Sequence, residues 1–300
     1  MKAKLTICIP AYNVNQLYIK RAIKSVENQS SNNWQLYVVD GSDIQDIALK
    51  QYVDSLQNKK IQYLRNEKDR SMAGNWNYSF DHAKSELVTL LHDDDYLSPK
   101  YVENMLEVAE EFDGSAAYFC DVSIVNEHNR RAFSVADFIK RFIKPRGCII
   151  HLSGDEGLAS ILNGCYIFCP TICYRKSKLS YSPFSNKWKM VTDLKFYLDV
   201  LSEQSVITGI NQKLYFYRRH KQNQTSKMTE SLDRFKEESD LYDVIASLPL
   251  KDWPKSISKA SKKRIIKLHL WYRVFKSVIN FDISKARRQL MFARNISRMS

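Results

Sequence analysis

Five short apolar runs punctuate the first 122 residues: Leu5–Ile9, Trp34–Val39, Ile61–Leu64, Leu87–Leu91 and Ala116–Val122. Each has the length and β-branched content of a buried strand. The stretches between them carry apolar residues at helical spacing. Leu17–Glu27 sets Ala22, Ile23 and Val26 on one face, and Ile44–Leu56 does the same with Ile47, Ala48, Tyr52 and Leu56. Ala73–Ala83 reads as a third helix, and Pro99 suits the first turn of a fourth running to about Phe112. A repeated strand–helix–strand order predicts a mostly parallel α/β sheet covered on both faces.

The pattern loosens from about residue 125 to 225, where short elements mix with Gly, Pro and Ser. Asp193–Leu201 still reads as a helix, through Leu194, Tyr197, Leu198 and Leu201. Beyond about 226 the chain reads as wholly helical. From Ile265 to Asn280, helical spacing spreads Leu268, Leu270, Trp271, Tyr272, Val274, Phe275, Val278 and Ile279 over a wide apolar arc, broken by Ile266 and Lys267. Such an arc packs on protein or lies on a membrane surface. The expected division is 1–98, 99–225 and a helical appendage over 226–300.

Charge sharpens this division. The 300-residue chain carries a net +13, yet its last 50 residues hold 14 Lys and Arg against two Asp, so the body is close to neutral. A nucleic-acid-binding groove needs basic residues spread over the body, which argues against that function class. An anionic membrane surface fits the basic tail better. There is no G-x-G-x-x-G and no G-x-x-x-x-G-K-[ST], and no run of 18 apolar residues. The start, Met1-Lys2-Ala3-Lys4-Leu5, has no signal-peptide apolar region, so the expected compartment is the cytoplasm. The six cysteines lack zinc-site spacing and read as free thiols.

The candidate chemistry centres on Asp93-Asp94-Asp95, which follows the fourth apolar run. Adjacent carboxylates repel, and a hard divalent cation relieves that repulsion while taking oxygen ligands. The competing reading is an acidic turn capping the helix near Pro99. Pro10-Ala11-Tyr12-Asn13 follows the first strand and Asp40-Gly41-Ser42-Asp43 the second, and Arg70 to Asn77 leads into the third helix. In a parallel sheet the carboxyl ends of strands share one edge, where ligands bind.

Taken together, these motifs resemble family 2 glycosyltransferases of the GT-A fold over roughly residues 4–226. Thr6 to Asn13 is similar to the family's opening strand and loop, and Val38-Val39-Asp40-Gly41-Ser42 to its second strand. Gly74-Asn75-Trp76-Asn77 with Ala83 resembles the helix of one subgroup, and Leu91 to Asp95 the D-x-D region. Thr192 to Phe196 resembles the segment that supplies the catalytic base, and Tyr217-Arg218-Arg219-His220 with Thr225-Ser226 the closing loop. Val39 and Thr192 stand where the family often has an additional acid.

The resemblance implies a GT-A-type, mostly parallel twisted sheet with helices on both faces, plus the C-terminal helical appendage. It implies an inverting enzyme moving a sugar from a nucleotide-sugar, a UDP-sugar foremost, to a hydroxyl of a glycan or lipid-linked acceptor in bacterial surface polysaccharide synthesis. Asp193 is the implied general base. The implied donor-binding set is Pro10, Ala11, Tyr12, Asn13, Asp40 for the nucleobase, Arg70, Asn75, Asp93, Asp94 and Arg218. Mn²⁺ or Mg²⁺ would be held by Asp94, Asp95 and His220, with Asp93 facing the sugar in one register of the triplet. Expected partners are the donor, the acceptor, the inner face of an anionic membrane and further copies of the chain. A nucleotidyltransferase also uses carboxylates and metal, but no Gly-rich phosphate loop follows the first strand.

Overall fold

The computed structural model describes residues 3–133, 140, 142–220 and 224–298, with the side chains of 224–227 and 297–298 outside the described set. Strands β1 (Leu5–Ala11), β2 (Trp34–Asp40), β3 (Ile61–Arg65) and β4 (Leu87–Leu90) form the half of the sheet ordered β3-β2-β1-β4, all parallel. Helices α1 (Gln16–Glu27), α2 (Ile47–Ser55) and α3 (Met72–His82) connect them.

Alternation along these strands decides the layers. Leu5, Ile7, Ile9 and Ala11 of β1 join Leu36 and Val38 of β2 in one core with α1 residues Ile19, Ala22, Ile23 and Val26. The intervening Cys8, Tyr37 and Val39 point to a second core with Ala73 and Phe80 of α3. Successive side chains of a strand leave opposite faces, so a strand buried on both reads as a continuous apolar run. The helix starts are set by caps. Asn15, Asp46 and Ser71 each accept backbone N–H groups of the following turn. Asp46 is why α2 begins at Ile47 and not at Ile44.

The second half of the sheet mixes directions. It contains β5 (Tyr96–Leu97), β6 (Ser115–Val125), β7 (Ile149–Leu152), β8 (Ile172–Arg175) and the long β9 (Val206–Arg218). β8 runs antiparallel between β4 and β6, while β9 is parallel to β6 and antiparallel to β5 and β7. Helices α4 (Tyr101–Glu111), α5 (Gly154–Leu162) and α6 (Thr192–Ser202) complete this half.

The C-terminal region is helical: α7 (Gln224–Ser231), α8 (Asp233–Ala246), α9 (Pro254–Lys262), α10 (Arg264–Ile279) and α11 (Ile283–Arg298). Lys263, at φ 46°, makes the left-handed turn between α9 and α10. Its buried ammonium is compensated by Asp243 at 2.7 Å and the Ser239 hydroxyl at 2.9 Å. Phe235, Leu241 and Ile245 of α8 and Ile266 and Leu270 of α10 join the same core as α3 and α6. Among the described residues no helix is long and apolar enough to cross a membrane.

Candidate active site

The carboxyl ends of β1, β2 and β4 meet along one edge. Ala11 pairs with Asp40, Cys8 pairs with Leu90, and Leu91 N–H donates to the Cys8 carbonyl at 2.8 Å. The acidic triplet therefore emerges beside the Pro10–Asn13 loop, where the Tyr12 backbone N–H opposes the rise in the Asp93 pKa that burial causes.

Asp95 is the most enclosed of the three acids. Its Oδ2 accepts the Tyr215 hydroxyl at 3.0 Å and its Oδ1 the backbone N–H of Arg218 at 2.6 Å. Burial first, then the charge of Asp94, raises its pKa well above the usual carboxylate range. The same two causes push Asp93 up to about 7. Asp94 is partly open and its Oδ2 lies 2.8 Å from Nε2 of His220. His92 stands on the other side, with Nδ1 3.8 Å from Oδ2 of Asp95, and burial lowers its pKa.

One atom each from His92, Asp94 and Asp95 lies within 4.8 Å of the others. Two carboxylates and a neutral imidazole suit Mn²⁺ and also accommodate Mg²⁺, whose preference is for oxygen. His92 was not among the residues singled out in the sequence. Its signal was its place directly before the triplet, and the Trp76 ring beside it at 5.5 Å now fixes its position.

Arg218 is fully enclosed at 1% exposure. Its Nε donates to the Asp94 carbonyl at 2.6 Å, and its terminal nitrogens to the Asn126 carbonyl at 2.9 Å and Asn129 Oδ1 at 2.7 Å. The guanidinium also lies 4.3 Å from the Tyr18 ring centre. The arginine expected in the donor-binding set thus holds the backbone of the acidic loop. Thr225 and Ser226, the end of the closing-loop resemblance, have side chains outside the described set.

Asp40 is equally committed. Ser42 N–H and Asp46 N–H each donate at 2.9 Å, the Tyr63 hydroxyl at 2.6 Å, and Arg65 pairs at 3.1 Å. Burial opposes its charge, yet the hydrogen bonds outweigh burial and lower its pKa. Asn75 is buried and spans the two strand ends, donating to the carbonyls of Val39 at 3.2 Å and Ala11 at 3.4 Å. Its amide explains Gly41: a Cβ there would lie 2.7 Å from the Asn75 side chain. Tyr12 and Arg70 are exposed on this edge and hold Asp43 through its carboxylate at 2.9 Å and its carbonyl at 2.7 Å. Asn13 takes a positive φ of 48° and donates its N–H to the Ser42 hydroxyl.

Asp193 opens α6, its Oδ1 accepting Leu194 N–H at 2.8 Å. Burial raises its pKa, against the lowering effect of Leu194 N–H, Lys140 and Arg234. The loop before it is tied to the site through Phe184, whose ring lies 5.1 Å from Trp76. From the C-terminal side, Glu237 of α8 accepts the N–H groups of Lys189 and Met190 at 3.0 and 2.7 Å.

Comparison with known proteins agrees with this arrangement. The family model for Glycosyl transferase family 2 matches residues 6–147. A Campylobacter jejuni GalNAc(5)-diNAcBac-PP-undecaprenol beta-1,3-glucosyltransferase is 33% identical over 129 residues, covering 42% of this chain and 40% of that protein. The chain spans less than half the length of the curated relatives it matches. S. aureus TarS 1–349 in complex with UDP-GlcNAc superposes with a TM-score of 0.64 at 18% identity, over 88% of this chain and 72% of that one. The mannosyltransferase PcManGT of Pyrobaculum calidifontis, in complex with GDP-Man and Mn²⁺, gives 0.62 at 12% identity, over 98% of this chain and 76% of that one. Both likenesses are of fold. Residues 6–147 of this chain are thus similar to family 2 glycosyltransferases, and the chain has the GT-A fold of these solved structures.

Proposed function

We propose that the protein is an inverting glycosyltransferase that moves a sugar from a UDP-sugar to a hydroxyl of a lipid-linked, growing surface glycan. The observation that carries this reading is the clustering of His92, Asp94 and Asp95 at the carboxyl end of β4, inside the region similar to family 2 glycosyltransferases. The relatives support the substrate classes: one is a glucosyltransferase acting on an undecaprenol-linked glycan, and another solved structure holds UDP-GlcNAc.

The donor lies across residues 1–98 and the acceptor against 99–225. Tyr12, Asn13, Asp43 and Arg70 form the outer rim for the nucleotide, over a floor of Pro10, Ala11 and Gly41. Asp40 and Asn75 act on the nucleobase by shaping that rim. His92, Asp94 and Asp95 would hold a divalent cation, with His220 orienting Asp94 through its hydrogen bond. When bound, that cation supplies Lewis-acid stabilisation for the departing diphosphate. Arg218 fixes the loop that presents these acids.

Asp193 takes the proton of the acceptor hydroxyl as that oxygen attacks the anomeric carbon. Attack from the face opposite the diphosphate inverts the anomeric centre and needs no covalent enzyme intermediate. Its raised pKa makes Asp193 a stronger base than an exposed carboxylate. The protein works in the cytoplasm, at the inner face of the membrane where lipid-linked glycans grow.

Thermal unfolding with UDP, GDP, CDP or dTDP, each with Mn²⁺, tests the donor assignment. A ligand that binds the folded state raises its apparent stability by mass action. A shift for UDP that vanishes in chelator is expected. No shift with any nucleotide would overturn the reading.

A further inference from the structure

Helix α10 carries two apolar faces, and only one is used by the fold. Ile266, Leu270 and Ser277 are buried and lie on one side of the helix. At about 100° per residue, Leu268, Trp271, Tyr272, Phe275, Val278 and Ile279 fall within an arc of about 120° on the opposite side. All six are between 48% and 64% exposed. Phe281, at 90%, and Ile283, at 64%, continue the apolar surface into the next turn of chain. Single exposed apolar residues are ordinary, but a contiguous face of eight, two of them Trp and Tyr, marks an interaction surface.

The charges around the face identify its occupant. Arg273 and Lys285 share the one carboxylate of Glu230, and Lys263 pairs with Asp243. Among the described residues no ion pair involves Lys262, Arg264, Lys267, Lys276, Arg287 or Arg294. Lys267 and Lys276 flank the apolar face on α10 itself, and Arg264 stands at its N-terminal end. A second copy docking here would bring two such cationic rims together, which repel. An anionic lipid surface is complementary to both features: headgroups pair with the rim, and the aromatic and aliphatic side chains enter the headgroup boundary.

We propose that the outward face of α10 docks on an anionic lipid bilayer, with the helix lying along the surface over about 24 Å of its length. The inward face, through Ile266 and Leu270, holds the helix to the core that also contains α6. Docking therefore sets the glycosyltransferase domain beside its lipid-linked substrate. The surface deepens the membrane-side part of the proposed function, but its test needs neither donor nor acceptor.

The experiment is co-sedimentation of the full chain with vesicles of phosphatidylglycerol and phosphatidylcholine, and with phosphatidylcholine alone. Sedimentation velocity without lipid runs in parallel. Trp271→Glu with Phe275→Glu changes two exposed positions and leaves the buried face intact, which circular dichroism checks. The wild-type chain is expected to sediment with the anionic vesicles, less so at high salt, and the double variant to bind roughly 100-fold or more weakly. Equal recovery of wild type and variant, or no binding to anionic vesicles, would overturn the proposal. So would a lipid-free dimer that the double variant abolishes, because the face would then belong to a second copy.

Discussion

The backbone N–H of Arg218 donates to Oδ1 of Asp95 across 2.6 Å, joining the end of β9 to the acidic loop after β4. The Tyr215 hydroxyl takes the other oxygen at 3.0 Å. Asp95 thus holds two buried donors in place as well as belonging to the cluster with His92 and Asp94. Truncating it leaves both unpaired, and each orphaned buried group is costly. Asp95→Ala should lower unfolding free energy by about 2–4 kcal/mol, read by denaturant titration. Asp94→Ala, at a partly open position, should unfold close to wild type yet lose metal-dependent nucleotide binding. Equal stability of the two variants would contradict the division of roles.

Asp193 is the residue on which turnover depends in this account. Asp193→Asn should reduce kcat by roughly 10²–10⁴-fold while nucleotide affinity stays the same. The base must be ionised to work, and its pKa is raised, so activity should fall as pH drops through a value above about 4, the ordinary carboxylate range. Arg234 lowers that pKa by its positive charge. Arg234→Gln should therefore move the acid limb of the pH–rate profile further up. A limb that stays put, or an Asn variant of normal rate, would remove Asp193 from the base position.

His269 makes the appendage sensitive to acid. Burial, then the charges of Arg234 and Arg273, lower its pKa to about 4, and its ring packs edge-on to Phe235 at 4.9 Å. Above pH about 6.5 the histidine is neutral in both folded and unfolded chains and contributes no pH dependence. Between 6.5 and 4 the unfolded chain takes up the proton and the folded chain does not, so stability falls as pH falls. The loss should reach about 2 kcal/mol after allowance for partial solvent screening. His269→Gln should flatten this part of the stability–pH curve. An unchanged slope would show that other groups govern the acid response.

The parallel half of the fold is legible in the sequence because β1, β2 and β4 are buried on both faces. Leu5–Ala11 and Trp34–Asp40 differ from their apolar runs only at the carboxyl ends, where Pro10, Ala11 and Asp40 extend the ladder. The antiparallel insertion of β8 between β4 and β6 was not legible. Its four residues, Ile172–Arg175, follow Pro170 in a stretch whose local pattern is mixed, and only long-range pairing makes it a strand. The acids of the site could be named from their positions after strands. Of their partners, Arg218 and His220 were reachable only through the family resemblance, and Tyr215, more than a hundred residues away in sequence, carried no signal of its own. The helical arc of α10 was visible, but sequence spacing does not say which side faces protein. Ile266, which breaks that arc, turns out to be wholly buried and marks the inward side.

Product analysis with the full chain tests the central claim most directly. UDP-, GDP-, CDP- and dTDP-sugars are incubated separately with Mn²⁺ and a membrane extract containing lipid-linked glycans, and the released nucleotide and the new linkage are identified. The account predicts a nucleoside diphosphate from a UDP-sugar, a glycosidic bond of inverted anomeric configuration, and loss of both in excess chelator. Release of pyrophosphate, or full transfer in chelator, would contradict it.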